Sequence, residues 1–154
     1  MRQLFKFHGG VHPPTNKTQS NGKPIAQVAL PSKLVIPLHQ HVGSSAKPAV
    51  EVGQHVLKGQ IIGTPDGRLS SAVHASTSGT IAAIDMQQVA HPSGLPDLCV
   101  TLIPDGKDEW IARESRDWRA MAHADLRHLL REAGVVGLGG AVFPSDMKLY
   151  SGQH

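Results

Sequence analysis

The strongest constraint on this chain is a pair of glycine-punctuated apolar segments, AVEVGQHVLKGQIIG at residues 49–63 and SAVHASTSGTIAAI at 71–84. Gly53 and Gly59 can take positive φ without the Cβ penalty, so the backbone can reverse twice within a few residues. Val56 and Ile61 can then face one core from consecutive short strands, and Gly79 is assigned the same turning part in the second segment. Val50, Val52, Val56, Ile61 and Ile62 fall between turn glycines at Gly53, Gly59 and Gly63. Apolar runs flank the pair: Leu34-Val35-Ile36 before Pro37, and LCVTLI at 98–103. Asp66-Gly67, Ser78-Gly79 and Asp105-Gly106 mark further turns. Short strands at this spacing predict a mainly β domain, a small barrel or sandwich, over 30–104.

The flanks read differently. Residues 1–29 are rich in Gly, Pro, Asn, Thr and Lys, and His12-Pro13-Pro14 forces extended geometry, which predicts an N-terminal arm that packs on something else. Residues 105–136 hold a linker and a helix. Leu126, Leu129, Leu130 and Ala133 fall at i, i+3, i+4 and i+7, one face of an amphipathic helix, with Gly134 where a left-handed C′ residue belongs. Residues 137–154 open with GLGGAVFP, a glycine cluster of the kind that wraps a phosphate.

Bulk properties exclude several classes. The formal net charge of +3 comes from scattered basic residues with no aromatic interleaving, so no nucleic-acid surface is expected. Cys99 is the only cysteine; alone it makes no internal disulfide and holds no iron–sulfur cluster or structural zinc, and it points to a reducing compartment. No stretch approaches the roughly 20 apolar residues that cross a bilayer, and MRQLFKFHGG lacks a signal-peptide core. The expectation is a soluble, cytoplasmic chain that can still dock onto a membrane complex.

The two core segments resemble the halves of biotinyl and lipoyl carrier domains, which are flattened β-barrels of the barrel-sandwich hybrid type. Carriers need a lysine at the tip of the hairpin between the halves. Here that stretch is TPDGRLSS (64–71), with Arg68 and no lysine; a guanidinium stays protonated and is a poor amide-forming nucleophile. Lys58 lies in the earlier turn, the wrong place. A stand-alone barrel carrying a prosthetic group or a metal is the alternative reading.

A wider set of segments, FHGGVHPPTNKTQSNGKPI (7–25), VIPLHQHVG (35–43), VEVGQHVLKGQIIG (50–63), VHASTSGTI (73–81) and GLGGAVFP (137–144), is similar in order and spacing to the N-terminal part of the RnfC (RsxC) family. The resemblance implies a peripheral NADH-side subunit of the Rnf electron transport complex, on the cytoplasmic face of the bacterial inner membrane. It implies a barrel-sandwich hybrid with an N-terminal arm and a C-terminal helix. It also implies a following domain for FMN and NADH and two [4Fe–4S] clusters further on. The complex would pass electrons between NADH and ferredoxin, coupled to ion transport. Partners would be the other Rnf subunits and the rest of the RnfC chain. This chain is expected to hold only the first module and the opening of the second, with no cofactor and no catalysis of its own. In the family's loop, Gly137, Gly139, Gly140 and Lys148 match the cofactor-binding positions. Val142 stands where the family usually has glycine and Ser145 where it has threonine; a β-branched residue is costly at positive φ. Residues 137–154 are expected to be frayed or to rest against the barrel.

Ten histidines raise a metal question. His39 and His41, two apart, would share one side of a strand and make half a site, with His12, His55 and His74 as candidate further ligands. The favoured reading is that His39, His41 and His74 hydrogen-bond neighbouring backbone in a tightly turned barrel.

Overall fold

The computed structural model describes residues 9–10 and 13–150. The expectations for residues 1–8, for His12 and for 151–154 lie outside the described residues. Among the described residues seven strands form two antiparallel sheets. β1 (Leu34–Pro37), β7 (Pro96–Pro104), β6 (Gly79–Gln88) and β3 (His55–Val56) lie side by side in that order. β2 (Lys47–Pro48), β4 (Ile61–Thr64) and β5 (Val73–His74) make the second sheet. The long β6–β7 hairpin carries a register shift between Ile81 and Ala83. Such an irregularity bends the bulged strand and tightens its twist.

The two sheets close over one core. Leu38, Val56, Ile62, Ile81, Val100 and Leu102 are fully buried, and Ile36, Ala46, Val50, Val73 and Ala75 complete the cluster. Each large aliphatic side chain taken fully out of water contributes roughly 1.5–3 kcal/mol, so these few residues dominate the domain's stability. The fold is the barrel-sandwich hybrid that the sequence implied.

Three expectations change: Ile61, expected to face the core with Val56, is half-buried while Ile62 takes that place, and neither Gly63 nor Gly79 turns. Val52 lies exposed at the turn, outside the cluster that holds Val50 and Val56. Gly63 does not turn; it lies within β4, where a Cβ would stand 2.8 Å from Leu38 Cδ2. Gly79 does not turn either. It is buried in β6, and a Cβ there would stand 2.1 Å from the Ile103 carbonyl oxygen. Both glycines provide clearance, whereas Gly53 and Gly59 do adopt φ of 88° and 82°.

The barrel's bonding continues past Pro104. The Lys58 amide donates to the Glu109 carbonyl (2.8 Å), and the Ile111 amide donates to the Lys58 carbonyl (3.1 Å). Helix α1 (His123–Glu132) follows, ending at Gly134 with φ 69° as its sequence required. Leu126, Leu129 and Leu130 are half-buried, while Ala133 is exposed. A one-turn helix, α2 (Ser145–Lys148), packs against α1. Arg127 Nε bridges the pair by donating to the Asp146 carbonyl (3.3 Å).

Candidate functional site

The glycine loop rests against the barrel. Val42 donates its amide to the Ala141 carbonyl at 3.2 Å, which ties the loop to the segment that follows β1. Val42, Gly140, Ala141 and Val142 form one wall of an open groove of about 720 Å³. The other walls are His39 and His41, Asp97 at the start of β7, and the β6–β7 loop with His91 and Leu95. The structure therefore joins the two sets singled out in the sequence, the histidine pair and the glycine cluster. Sequence reasoning missed Asp97, His91 and Leu95. The one signal available was that Asp97 immediately precedes the apolar run that becomes β7.

Of the histidine pair, His41 bonds neighbouring backbone as expected, whereas His39 makes no backbone hydrogen bond among the described residues. β1 ends at Pro37, so His39 and His41 sit in the following loop and not on a strand; their rings meet edge to face with centroids 6.3 Å apart. The Ser71 amide donates to His41 Nε2 (3.0 Å), which leaves Nδ1 as the protonated nitrogen that donates to the Val42 carbonyl (3.1 Å). Both ring nitrogens of His41 are thus engaged. His39 Nδ1 stands 3.6 Å from Asp97 Oδ2. His55 bonds Asp105 at 3.0 Å instead of turning toward the pair. His74 lies against Gly134, and desolvation by burial pushes its pKa down, with a backbone bond to Glu132 opposing. Among the described residues no group of three His, Cys, Asp or Glu side chains is placed to hold a metal ion.

The glycine loop is partly closed on itself. Gly137 donates its amide to the Phe143 carbonyl (2.8 Å), and Val142 donates to the Gly139 carbonyl (3.0 Å). Neither amide is free for an anion. Lys148 folds back over the loop, with Nζ 2.6 Å from where a Cβ on Gly137 would stand. Gly137 thus makes room for the lysine. Gly139 and Gly140 have no neighbour within 4 Å of a Cβ, and neither takes positive φ. The positive φ falls instead on Val142, at 45°. This is the position where a glycine would carry no penalty.

At the opposite end of the loop, the hairpin tip between β4 and β5 is held down. Arg131 donates through Nη2 to the Gly67 carbonyl, and the Ala72 amide and Ser71 Oγ donate to the Arg131 carbonyl at 3.1 and 3.3 Å. Arg68 and Arg127 approach the Tyr150 ring at 5.5 and 4.6 Å. The tip that would swing in a carrier is fastened to the C-terminal helices. Lys58 is also committed: its ammonium bonds Asp108 (2.7 Å) and lies 5.0 Å from the Trp110 ring.

The family follows from comparison with known proteins. The RnfC barrel sandwich hybrid domain matches residues 5–107. The chain belongs to that family. Three relatives are each named as the C subunit of an ion-translocating oxidoreductase complex. The one from Serratia proteamaculans is 46% identical over 99% of this chain and 22% of the relative. That from Edwardsiella ictaluri is 48% identical over 97% of this chain and 19% of the relative. That from Vibrio cholerae is 44% identical over 97% and 20%. The chain therefore spans about a fifth of the length of these RnfC relatives. No helix among the described residues is long and apolar enough to cross a membrane.

Proposed function

We propose that this RnfC module is a docking and scaffold part of an ion-translocating oxidoreductase complex that passes electrons between NADH and ferredoxin on the cytoplasmic face of the inner membrane. The observation that carries the reading is how the barrel is used. The hairpin tip, where a carrier barrel would hold its cargo, is bonded to the chain that follows, and so is the one lysine of the neighbouring turn, Lys58. A barrel fastened in this way positions what comes after it. Here that is the loop 137–148.

With the Gly137 and Val142 amides bonded within the loop, what is left for an anionic group is Lys148 and the stretch at Gly139 and Gly140. Lys148 supplies the charge, nothing stands within 4 Å of a Cβ on Gly139 or Gly140, and Gly137 gives the lysine room. An FMN bound at this loop in the complete RnfC protein would supply hydride and single-electron redox chemistry, and Lys148 and the backbone of Gly139 and Gly140 are the parts of this chain that would hold its phosphate. This chain's residues would anchor an anionic group at the entrance and hold the loop at a fixed place on the barrel through Val42 and Ala141.

The test is complementation. Membranes from a strain lacking RnfC should recover NADH-driven ferredoxin reduction with the complete protein, but not with one lacking residues 5–107. Full turnover from the shortened protein would overturn the reading.

A further inference from the structure

Residues 13–33 are exposed throughout. Within them a hexapeptide, Ile25-Ala26-Gln27-Val28-Ala29-Leu30, is set between Pro24 and Pro31 and then between Lys23 and Lys33. Ile25 is 104% and Val28 92% exposed, and Leu30 is also uncovered. The hexapeptide belongs to no helix, strand or turn, and none of its amides donates to another backbone group among the described residues. In extended geometry Ala26, Val28 and Leu30 share one face. The charge around it is one-sided. All 12 acidic residues of the chain lie at or beyond Glu51, so the arm carries lysines and no carboxylate. Among the described residues Lys17, Lys23 and Lys33 make no ion pair.

We propose that residues 24–31 are a docking strand, which adds to an exposed sheet edge of an acidic protein partner in the complex. Edge addition supplies the missing main-chain hydrogen bonds, an apolar face receives Val28 and Leu30, and carboxylates at the two ends receive Lys23 and Lys33. The prolines end the strand at both sides and keep it from pairing further. An anionic lipid surface fits less well. It would attract the lysines, but an extended hexapeptide entering it would leave its amides without partners. The inference rests on the docking reading above, and the two can fail separately.

The experiment uses the complete RnfC protein, expressed with the rest of its complex and recovered in detergent. Val28→Asp/Leu30→Asp and Lys23→Glu/Lys33→Glu should each lower co-purification at least tenfold. Neither should change the thermal melting of the barrel, because the arm covers none of the barrel's core. Wild-type association should weaken with added salt. If both double variants co-purify like wild type while RnfC lacking residues 1–107 does not, the strand is wrong and the docking reading stands. If RnfC lacking 1–107 still co-purifies, the docking reading itself falls. Binding to phosphatidylglycerol vesicles that the lysine variant abolishes, with complex association intact, would assign the arm to lipid and overturn the proposal.

Discussion

Gly79→Ala is the most severe single methyl the barrel can receive. The added Cβ would stand 2.1 Å from the Ile103 oxygen and 2.9 Å from both Ile103 C and Pro104 Cα, all of them backbone atoms. Ordinary contact needs more than a further ångström. The backbone on either side is pinned. Gly79 pairs with Pro104 in β7 and with Val56 in β3, the Asp105 amide donates to the Ser78 carbonyl (3.2 Å), and Ser78 Oγ donates to Asp105 Oδ1 (2.8 Å). Overpacking of this kind costs about 1–3 kcal/mol, and each ladder bond lost in making room costs about 1 kcal/mol more. The expected destabilisation is about 3–5 kcal/mol, which for a chain of this size lowers Tm by roughly 10 °C. Gly53→Ala is the control. Gly53 has φ 88° but nothing within 4 Å of a Cβ, so only the left-handed backbone penalty of about 1–2 kcal/mol applies. Guanidinium melts followed by circular dichroism give both values. A Gly79→Ala variant no less stable than Gly53→Ala would refute the close approach of β6 to β7.

Other consequences are equally measurable. Asp105 is held at a pKa of about 2, first by its bond with His55, then by the Lys107 amide and the Ser78 hydroxyl. A carboxylate depressed in the folded state adds stability above its unfolded value near 3.8, and that stability is lost as pH falls toward about 2. Asp105→Asn should therefore flatten the stability profile between these values; an unchanged slope would exclude Asp105 as its source. His74 has a lowered pKa, so the unfolded chain takes up its proton first and stability should fall as pH drops below about 6.5. His74→Gln should remove that fall in urea melts. Intact-mass spectrometry of protein from its native host should show an unmodified Lys58, and a covalent adduct there would restore the carrier alternative. Val142→Gly relieves about 1–2 kcal/mol of left-handed strain against an entropic cost of about 0.5–1 kcal/mol. Its Tm should match or exceed that of wild type, and a fall of several degrees would show that position 142 does not hold positive φ.

The barrel was legible because its signals are local. Positive φ at Gly53 and Gly59, the apolar run of β7 and the left-handed Gly134 each follow from neighbouring residues. What stayed hidden depends on distant partners. Turning and clearance both call for glycine, so Gly63 and Gly79 looked like turn residues until their neighbours across the sheet were known. Ile61 and Ile62 carry the same chemistry, and which of the two enters the core depends on the register of β4 against its neighbours. At the groove, His41 and Gly140 are about a hundred residues apart in sequence, and only the fold brings them to one wall. Arg131 gave no sign that its backbone and side chain would both fasten the hairpin tip, because its partners, Gly67, Ser71 and Ala72, lie some sixty residues upstream. The conflict at Val142 was visible in outline from the resemblance alone, and the structure places its φ at 45°.

The central claim, that this barrel docks a larger protein into its complex and is not a carrier, meets its most direct test in native mass spectrometry of the purified complex. One preparation contains complete RnfC and the other RnfC lacking residues 1–107. The docking account expects the complete protein at full stoichiometry and the shortened one absent from an otherwise intact complex. Full occupancy by the shortened protein would contradict it.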